Sequence, residues 1–323
     1  MAKTVPQSLK AFLEKIIDYA GTYPPANLDL KTSFNNYLDY AKNSPYNWML
    51  SKYVCAAPKL DELDGIIQKE KINIQNTITF TIVGSSSVHS SEFLDSLKRD
   101  AEQMKAFADK YSKLINTGSY EVRLPGDIFS MKGDNVLYEF IKLASAQLEK
   151  VLGEKIQLFF ESKPDENLPS LARAIEIFNA SGGKAGYKLR TGGIEPSAFP
   201  LPEKIAYAFK TCRDFRIPMK CTAGLHHPIR HYNESVKAKM YGFINIFGAG
   251  VLHCCHELNA NTLIEILTDE DAGNFKFTDN SFHWKNLYIL LSRVKEARNS
   301  FMLSFGSCSF DEPVEDLKSL GLF

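Results

Sequence analysis

An alternation of strand-like and helix-like segments runs from one end of this chain to the other, and it narrows the possible folds more than any other feature. "TITFTIVGSS" (77–86) reads as a strand, and "SEFLDSLKRDAEQMKAFADKYSKL" (91–114) has helical periodicity, with Ser90 or Ser91 available as its cap. "SYEVRLP" (119–125) leads to "DNVLYEFIKLASAQLEKVLG" (134–153), which Gly153 is suited to end. "KIQLFFES" (155–162) leads to "LPSLARAIEIFNASGG", "GYKLRTGG" (186–193) to "PLPEKIAYAFKTCRDF", and "PMKCTAG" (218–224) to a long, mostly helical region. Strands joined through helices of this length make crossover connections, which are right-handed and give a parallel sheet.

"KIIDYAG" (15–21), "NWMLSKYVCAA" (47–57) and "SFMLSFGSCSF" (300–310) bring the strands to eight. Eight β/α units in 323 residues predict an α/β chain folded as one (β/α)8 TIM barrel over 1–323, with an extended, mostly helical segment at 229–299. The first strand also reads as a helix end stopped by Gly21 and the two prolines after it. An open doubly wound sheet is the rival fold, although no GxGxxG turn follows an early strand. "FKFTDNSFHW" (275–284) is an extra strand or loop that the eightfold scheme leaves unused.

The balance of Lys plus Arg, 38, against Asp plus Glu, 38, leaves no global basic field, so no nucleic-acid partner is expected. The first residues form an amphipathic helix start rather than a signal peptide, and no apolar run is long enough to span a membrane. The six cysteines show neither a disulfide framework nor a CxxC pair. Together these features lead us to expect a cytoplasmic protein with reduced thiols.

Buried parallel strands are usually apolar throughout. Here polar residues alternate with apolar ones. Thr77, Thr79 and Thr81 alternate with Ile78, Phe80 and Ile82, and Glu121 and Arg123 flank Val122. Gln157 and Glu161 share a face, Lys188 and Arg190 flank Leu189, Lys220 and Thr222 flank Cys221, and Ser304 follows Leu303. Side chains two apart share one face of a strand, so the apolar set is expected against the helices and the polar set inside the barrel. The cations in that set outnumber the carboxylates, which suits a small anionic ligand. A self-satisfied ion network of Glu121, Arg123, Glu161 and Lys188 is the structural alternative.

A lysine is nucleophilic only when its amine is partly neutral, and burial beside another cation favours that state. The strands "YKLRTGG" and "MKCTAG" resemble those of class I aldolases of the deoxyribose-phosphate aldolase type. The resemblance implies a Schiff base on a lysine of the sixth strand, a second lysine on the seventh that lowers its pKa, and glycine-rich turns holding phosphate. Arg190 stands where that pattern has a small hydroxyl residue, and the fourth strand offers Glu121 and Arg123 in place of an aspartate. The whole chain also resembles a group of bacterial proteins sharing "AGLHHP" and a terminal "GSCSFDEP", a likeness that brings no reaction with it. The expected enzyme acts on a small phosphorylated or carboxylated carbonyl compound. Lys188 or Lys220 would form the imine, Glu161 or Glu121 would move protons, and Arg190 and Arg123 would hold the anion.

Backbone N–H groups at Gly192–Gly193 and at Gly306–Ser307 suit a phosphate cradle, or mark turns that need glycine. Thr222 and Asp18, the latter with Tyr19 beside it, are further candidates at the strand ends, and Cys308 follows the last strand with Ser307 and Ser309. His226, His227 and His231 offer the competing chemistry, a divalent metal with Glu161 or Asp18 as carboxylate ligand, although adjacent histidines point apart. "HCCH" (253–256) reads as a packed helix face before it reads as a metal site. No cofactor is expected, a divalent metal being the alternative. The third reading is a non-catalytic barrel that binds a metabolite or a partner. Aromatics in "SPYNWML" (44–50) and "FTDNSFHW" (277–284) would serve a homodimer or the core.

Overall fold

The computed structural model describes residues 5–111, 114–131, 133 and 135–323. Seven barrel strands come first: β1 (Ile17–Tyr19), β2 (Leu50–Ala56), β3 (Ile78–Val83), β4 (Ile115–Arg123), β5 (Gln157–Glu161), β6 (Ala185–Arg190) and β7 (Met219–Thr222). A hairpin of β8 (His231–Asn233) and β9 (Ala238–Met240) comes after them. A small antiparallel sheet of β10 (Phe275–Phe277), β11 (Ser281–Trp284) and β12 (Leu287–Leu290) is next. The eighth barrel strand is β13 (Met302–Ser307), which pairs in parallel with both β1 and β7 and closes the ring. The fold is a (β/α)8 barrel, and all eight expected strands are in it.

Closure results from the alternation. Tyr53, Phe80, Tyr120, Phe160, Tyr187, Leu189 and Phe305 all join the apolar layer between strands and helices, as does Cys221. Their neighbours in sequence then have to point inward. Gly153 ends the helix Val136–Leu152 at φ 81°, as the sequence suggests. The helix Ser90–Lys110 starts differently from expectation. His89 is the N-cap and makes no side-chain capping bond; Ser90 lies inside the first turn, and Asp127 from the loop after β4 accepts from its N and Oγ at 3.1 and 2.9 Å. Residues 112, 113 and 134 of the two expected helices, and residues 1–4 of the expected helical start, lie outside the described residues.

The segment 229–299 holds three helices and also the two small sheets. The unassigned "FKFTDNSFHW" supplies β10 and β11, which pack on the first helix, Gln7–Leu13. Ser8 Oγ donates to Ser281 O at 2.9 Å, and the Phe12 ring lies 5.2 Å from Phe277 and 5.0 Å from Phe282. Arg298 ties this layer to the start of the barrel, donating to the carbonyls of Phe12, Glu14, Met302 and Leu303. The aromatics considered for a dimer surface are engaged within the chain: Phe282 and Trp284 are buried, and Tyr46 stacks on Phe323 at 4.6 Å. Among the described residues no helix is long and apolar enough to cross a membrane.

Candidate active site

The inward set converges. Lys188 Nζ on β6 lies 3.0 Å from Glu121 Oε2 on β4 and 3.1 Å from Glu161 Oε2 on β5. Lys220 on β7 pairs with the other oxygen of Glu121 and lies 2.5 Å from Asp18 Oδ2 on β1. Ser304 Oγ on β13 donates to the same Asp18 oxygen at 2.8 Å, and Lys52 N on β2 donates to Oδ1 at 3.2 Å. The chain Asp18–Lys220–Glu121–Lys188–Glu161 therefore crosses the interior with Glu121 at its centre. The sequence-based network had Arg123 in it. Arg123 is instead exposed at the end of β4 and, like Arg190 at the end of β6, makes no ion pair among the described residues.

These pairings reverse the expectation for the lysine pKa values. Burial disfavours the charge on Lys188, but Glu121 and Glu161 outweigh it and hold the ammonium above its usual range. Lys220 behaves the same way: burial is overcome by Asp18 and Glu121. Burial also opposes the charges on Glu121 and Asp18, yet Lys220 with Lys188, and Lys220 with Lys52, keep those carboxyls below their usual values. The one depressed lysine in the barrel is Lys52, pulled down by burial and by Lys220 against the opposing pull of Asp18. Its Nζ sits 3.3 Å from Ser119 Oγ. The sequence reading missed Lys52, although the criterion that picked out Lys188 and Lys220, a lysine in mid-strand among apolar neighbours, would have found it.

A cavity of about 440 Å³ opens above this network at the C-terminal ends of the strands. Glu121, Glu161, Lys188 and Lys220 reach it from below, while Arg123, Arg190, Thr222, Gly193 and His226 line its rim. Cys308 lines it too, within reach as its place after the last strand suggested, and so do Tyr23 and Gly224, neither of which was assigned a role from sequence. Lys188 stands nearer the opening, with 9% of its side chain exposed against 2% for Lys220.

Several expected residues lie elsewhere. Asp18 is fully buried behind Lys220 rather than at the mouth. Gly192 faces the neighbouring loop: a Cβ there would come within 3.0 Å of Gly224 Cα, so the glycine lets the loops after β6 and β7 pack together. Gly224 needs glycine twice over, for that approach and for its φ of +75°. Ser307 is buried away from the cavity, and its hydroxyl donates to Ser309 O at 2.7 Å. Tyr19 faces the helices and packs against Tyr37, Tyr40 and Tyr53.

His227 is also displaced, because the adjacent histidines point apart. His226 turns into the cavity, its Nδ1 3.3 Å from Glu312 Oε2 and 3.8 Å from Cys308 Sγ. Burial opposes its charge, but Cys308 and Glu312 raise it to about 9, so it is an imidazolium at neutral pH. His227 turns outward to Asp316, 2.5 Å away, with the His231 ring at 4.3 Å from its own. Among the described residues no three His, Cys, Asp or Glu side chains are grouped to hold a metal ion.

No protein-family model matches the chain, and no curated protein does. Among solved structures the chain is similar to deoxyribose phosphate aldolase from Aeropyrum pernix, described as having a unique tetrameric structure. The TM-score is 0.46 at 10% identity, covering 97% of this chain and 96% of that one. The chemistry of this chain has to be read from its own side chains at the barrel mouth.

Proposed function

We propose that this protein is an enzyme that forms an imine between Lys188 and a small anionic carbonyl compound, as a lyase of the aldolase kind does. The observation that carries the reading is Glu121 bridging Lys188 and Lys220 at the floor of a cavity whose rim holds Arg123 and Arg190, neither ion-paired among the described residues. The interior balances its own charge, with Lys52, Lys188 and Lys220 against Asp18, Glu121 and Glu161. An anionic substrate group therefore has its complement at the rim.

In this reading the resting Lys188 is an ammonium and must lose a proton before it attacks. Glu161 is the acceptor: it lies 3.1 Å from Nζ, its side chain is more open to the cavity than that of Glu121 (14% against 4%), and it has no second lysine such as the Lys220 that holds Glu121. The neutral amine adds to the carbonyl carbon, one of its protons passes to the new alkoxide, and the resulting hydroxyl leaves as water with the proton returned by Glu161. The protonated imine then carries its positive charge where the ammonium carried it, between Glu121 and Glu161. A pair of carboxylates already oriented for a cation stabilises the iminium without reorganising. That iminium withdraws electrons from the adjacent carbon, where a C–C or C–H bond breaks. Lys220, held by Asp18, fixes Glu121 from behind.

Borohydride reduction in the presence of phosphorylated and carboxylated aldehydes and ketones, with peptide mapping of the product, tests this. The expected result is a reduced adduct on Lys188 that is absent from Lys188→Ala. An adduct on Lys220 would reassign the nucleophile, and no adduct on either lysine across the panel would end the reading.

The mutual neutralisation of the interior also supports a second reading, a barrel that binds a metabolite without turnover. Thermal-shift measurements with the same compounds separate the two. A binder is stabilised equally in wild type and Lys188→Ala and yields no reduced adduct.

A further inference from the structure

The mouth of the barrel continues sideways. A second cavity, of about 500 Å³, lies over the loops after β3, β4 and β5, three neighbouring strands. It shares Ser86 and Arg123 with the cavity above Lys188, so the two spaces meet at the Arg123 side chain. The walls of the second space include Val88, Leu124, Pro125 and Phe129. Val88 is an apolar side chain left 76% exposed at its lip. Ser87 also belongs to these walls.

We infer that this cleft binds the remote end of the substrate, and that the substrate is an anionic carbonyl compound with an apolar tail of several carbons. The inference rests on the imine reading for the position of the carbonyl, and the cleft adds the rest of the molecule. With the carbonyl at Lys188, the anionic group meets Arg123 where the cavities join, and the tail, carried on the other side of the carbonyl carbon, runs past it along Val88, Leu124 and Phe129. A compound of three or four carbons fills only part of the combined space, whereas pockets of this total size suit larger ligands.

Straight-chain monocarboxylates from acetate to octanoate carry the anion and the tail but no carbonyl, so they probe the cleft without imine chemistry. Calorimetric titration of wild type should show affinity rising roughly three- to fourfold per added methylene over the middle of the series, as burial of each CH2 dictates. Ser87→Phe, which fills the cleft from its wall, and Val88→Trp, which fills it from the lip, should each abolish that dependence. Lys188→Ala should keep it. Affinity that stays flat with chain length in wild type, or a dependence that survives both filling variants, would overturn the inference. Borohydride trapping with 2-oxo acids of the same lengths reports separately on Lys188. A chain-length effect on carboxylate binding with no adduct at any length would remove the imine reading and leave the cleft standing.

Discussion

Strands β4 and β6 each carry two inward-facing charges two residues apart, Glu121 then Arg123 and Lys188 then Arg190. The first of each pair is buried and bound to opposite charges; the second, roughly 6–7 Å further along the strand, is exposed and makes no ion pair among the described residues. Position along a strand therefore divides the labour of the barrel. The lower layer holds a balance of charge fixed by mutual pairing. The upper layer offers cations with no acidic partner among the described residues, which on the proposed reading an anionic substrate neutralises.

Removing one charge from each layer should give the largest contrast. Glu121→Gln leaves Lys188 with only Glu161 and Lys220 with only Asp18, all in a buried network. Breaking such a network costs about 3–5 kcal/mol, on the order of 10 °C in melting temperature for a domain of this size. Arg123→Gln, two residues away on the same strand, should change stability by no more than about 0.5 kcal/mol. Chemical denaturation of the two variants beside wild type measures both. Equal losses would mean that the layers are not distinct.

The same layer should govern stability against pH. Glu121 and Asp18 are held below their usual values of 4.5 and 3.8, so the stability they add is present above those values and lost as pH falls through the lower folded ones. Lys188 and Lys220 are held above 10.5, so their contribution is present below 10.5 and lost as pH rises through the higher folded values. The network thus stabilises across the whole neutral range and fails at both extremes. Thermal melts of wild type should show a broad plateau with an acid limb and an alkaline limb, and both should shrink in Glu121→Gln. Unchanged limbs would detach the network from pH stability.

The alternation along the strands made much of this layer legible in sequence. Once Val122, Leu189 and Cys221 are assigned to the helix side, Glu121, Lys188 and Lys220 have to face inward, and a closed barrel brings them together. Which charges pair was not legible. Register between strands decides that Glu121 stands opposite Phe159 and Lys188 opposite Lys220, and register leaves no mark in a single strand's sequence. The lysine pKa values are set by pairing rather than by burial and so came out reversed. Ser307 was within reach of the same rule: it closes β13 beside Tyr19, and alternation from the inward Ser304 puts it on the helix side. Gly192 was not, because it lies in the loop after β6, where strand alternation no longer fixes direction.

Effects on binding should be smaller and confined to the rim. Arg190→Gln should leave folding unchanged and weaken binding of inorganic phosphate or of a phosphorylated carbonyl compound by about tenfold or more, the usual worth of a charge-assisted hydrogen bond. Trapping at Lys188 should need a higher substrate concentration and reach the same final yield. A lower final yield at saturating substrate would place Arg190 in the chemistry rather than in binding, and would blur the division between layers.

The smallest effect belongs to His226, which lies on the boundary: its side chain is buried like the lower layer, yet its partner Glu312 is about half exposed like the rim. Its folded value, about 9, lies above the usual 6.5, so its contribution to stability is present below 6.5 and lost as pH rises through about 9. Solvent screens Glu312, which keeps that contribution small. Titration monitored by NMR at the imidazole should nonetheless show His226 protonated at neutral pH, and Glu312→Gln should move its midpoint toward 6.5. Cys308→Ser, at the other neighbour of Nδ1, separates the two causes, because the thiol and the carboxylate both favour the charged ring. If Glu312→Gln leaves the midpoint in place and Cys308→Ser lowers it, the cavity-facing thiol controls the charge of this histidine, and His226 belongs with the buried layer rather than with the rim.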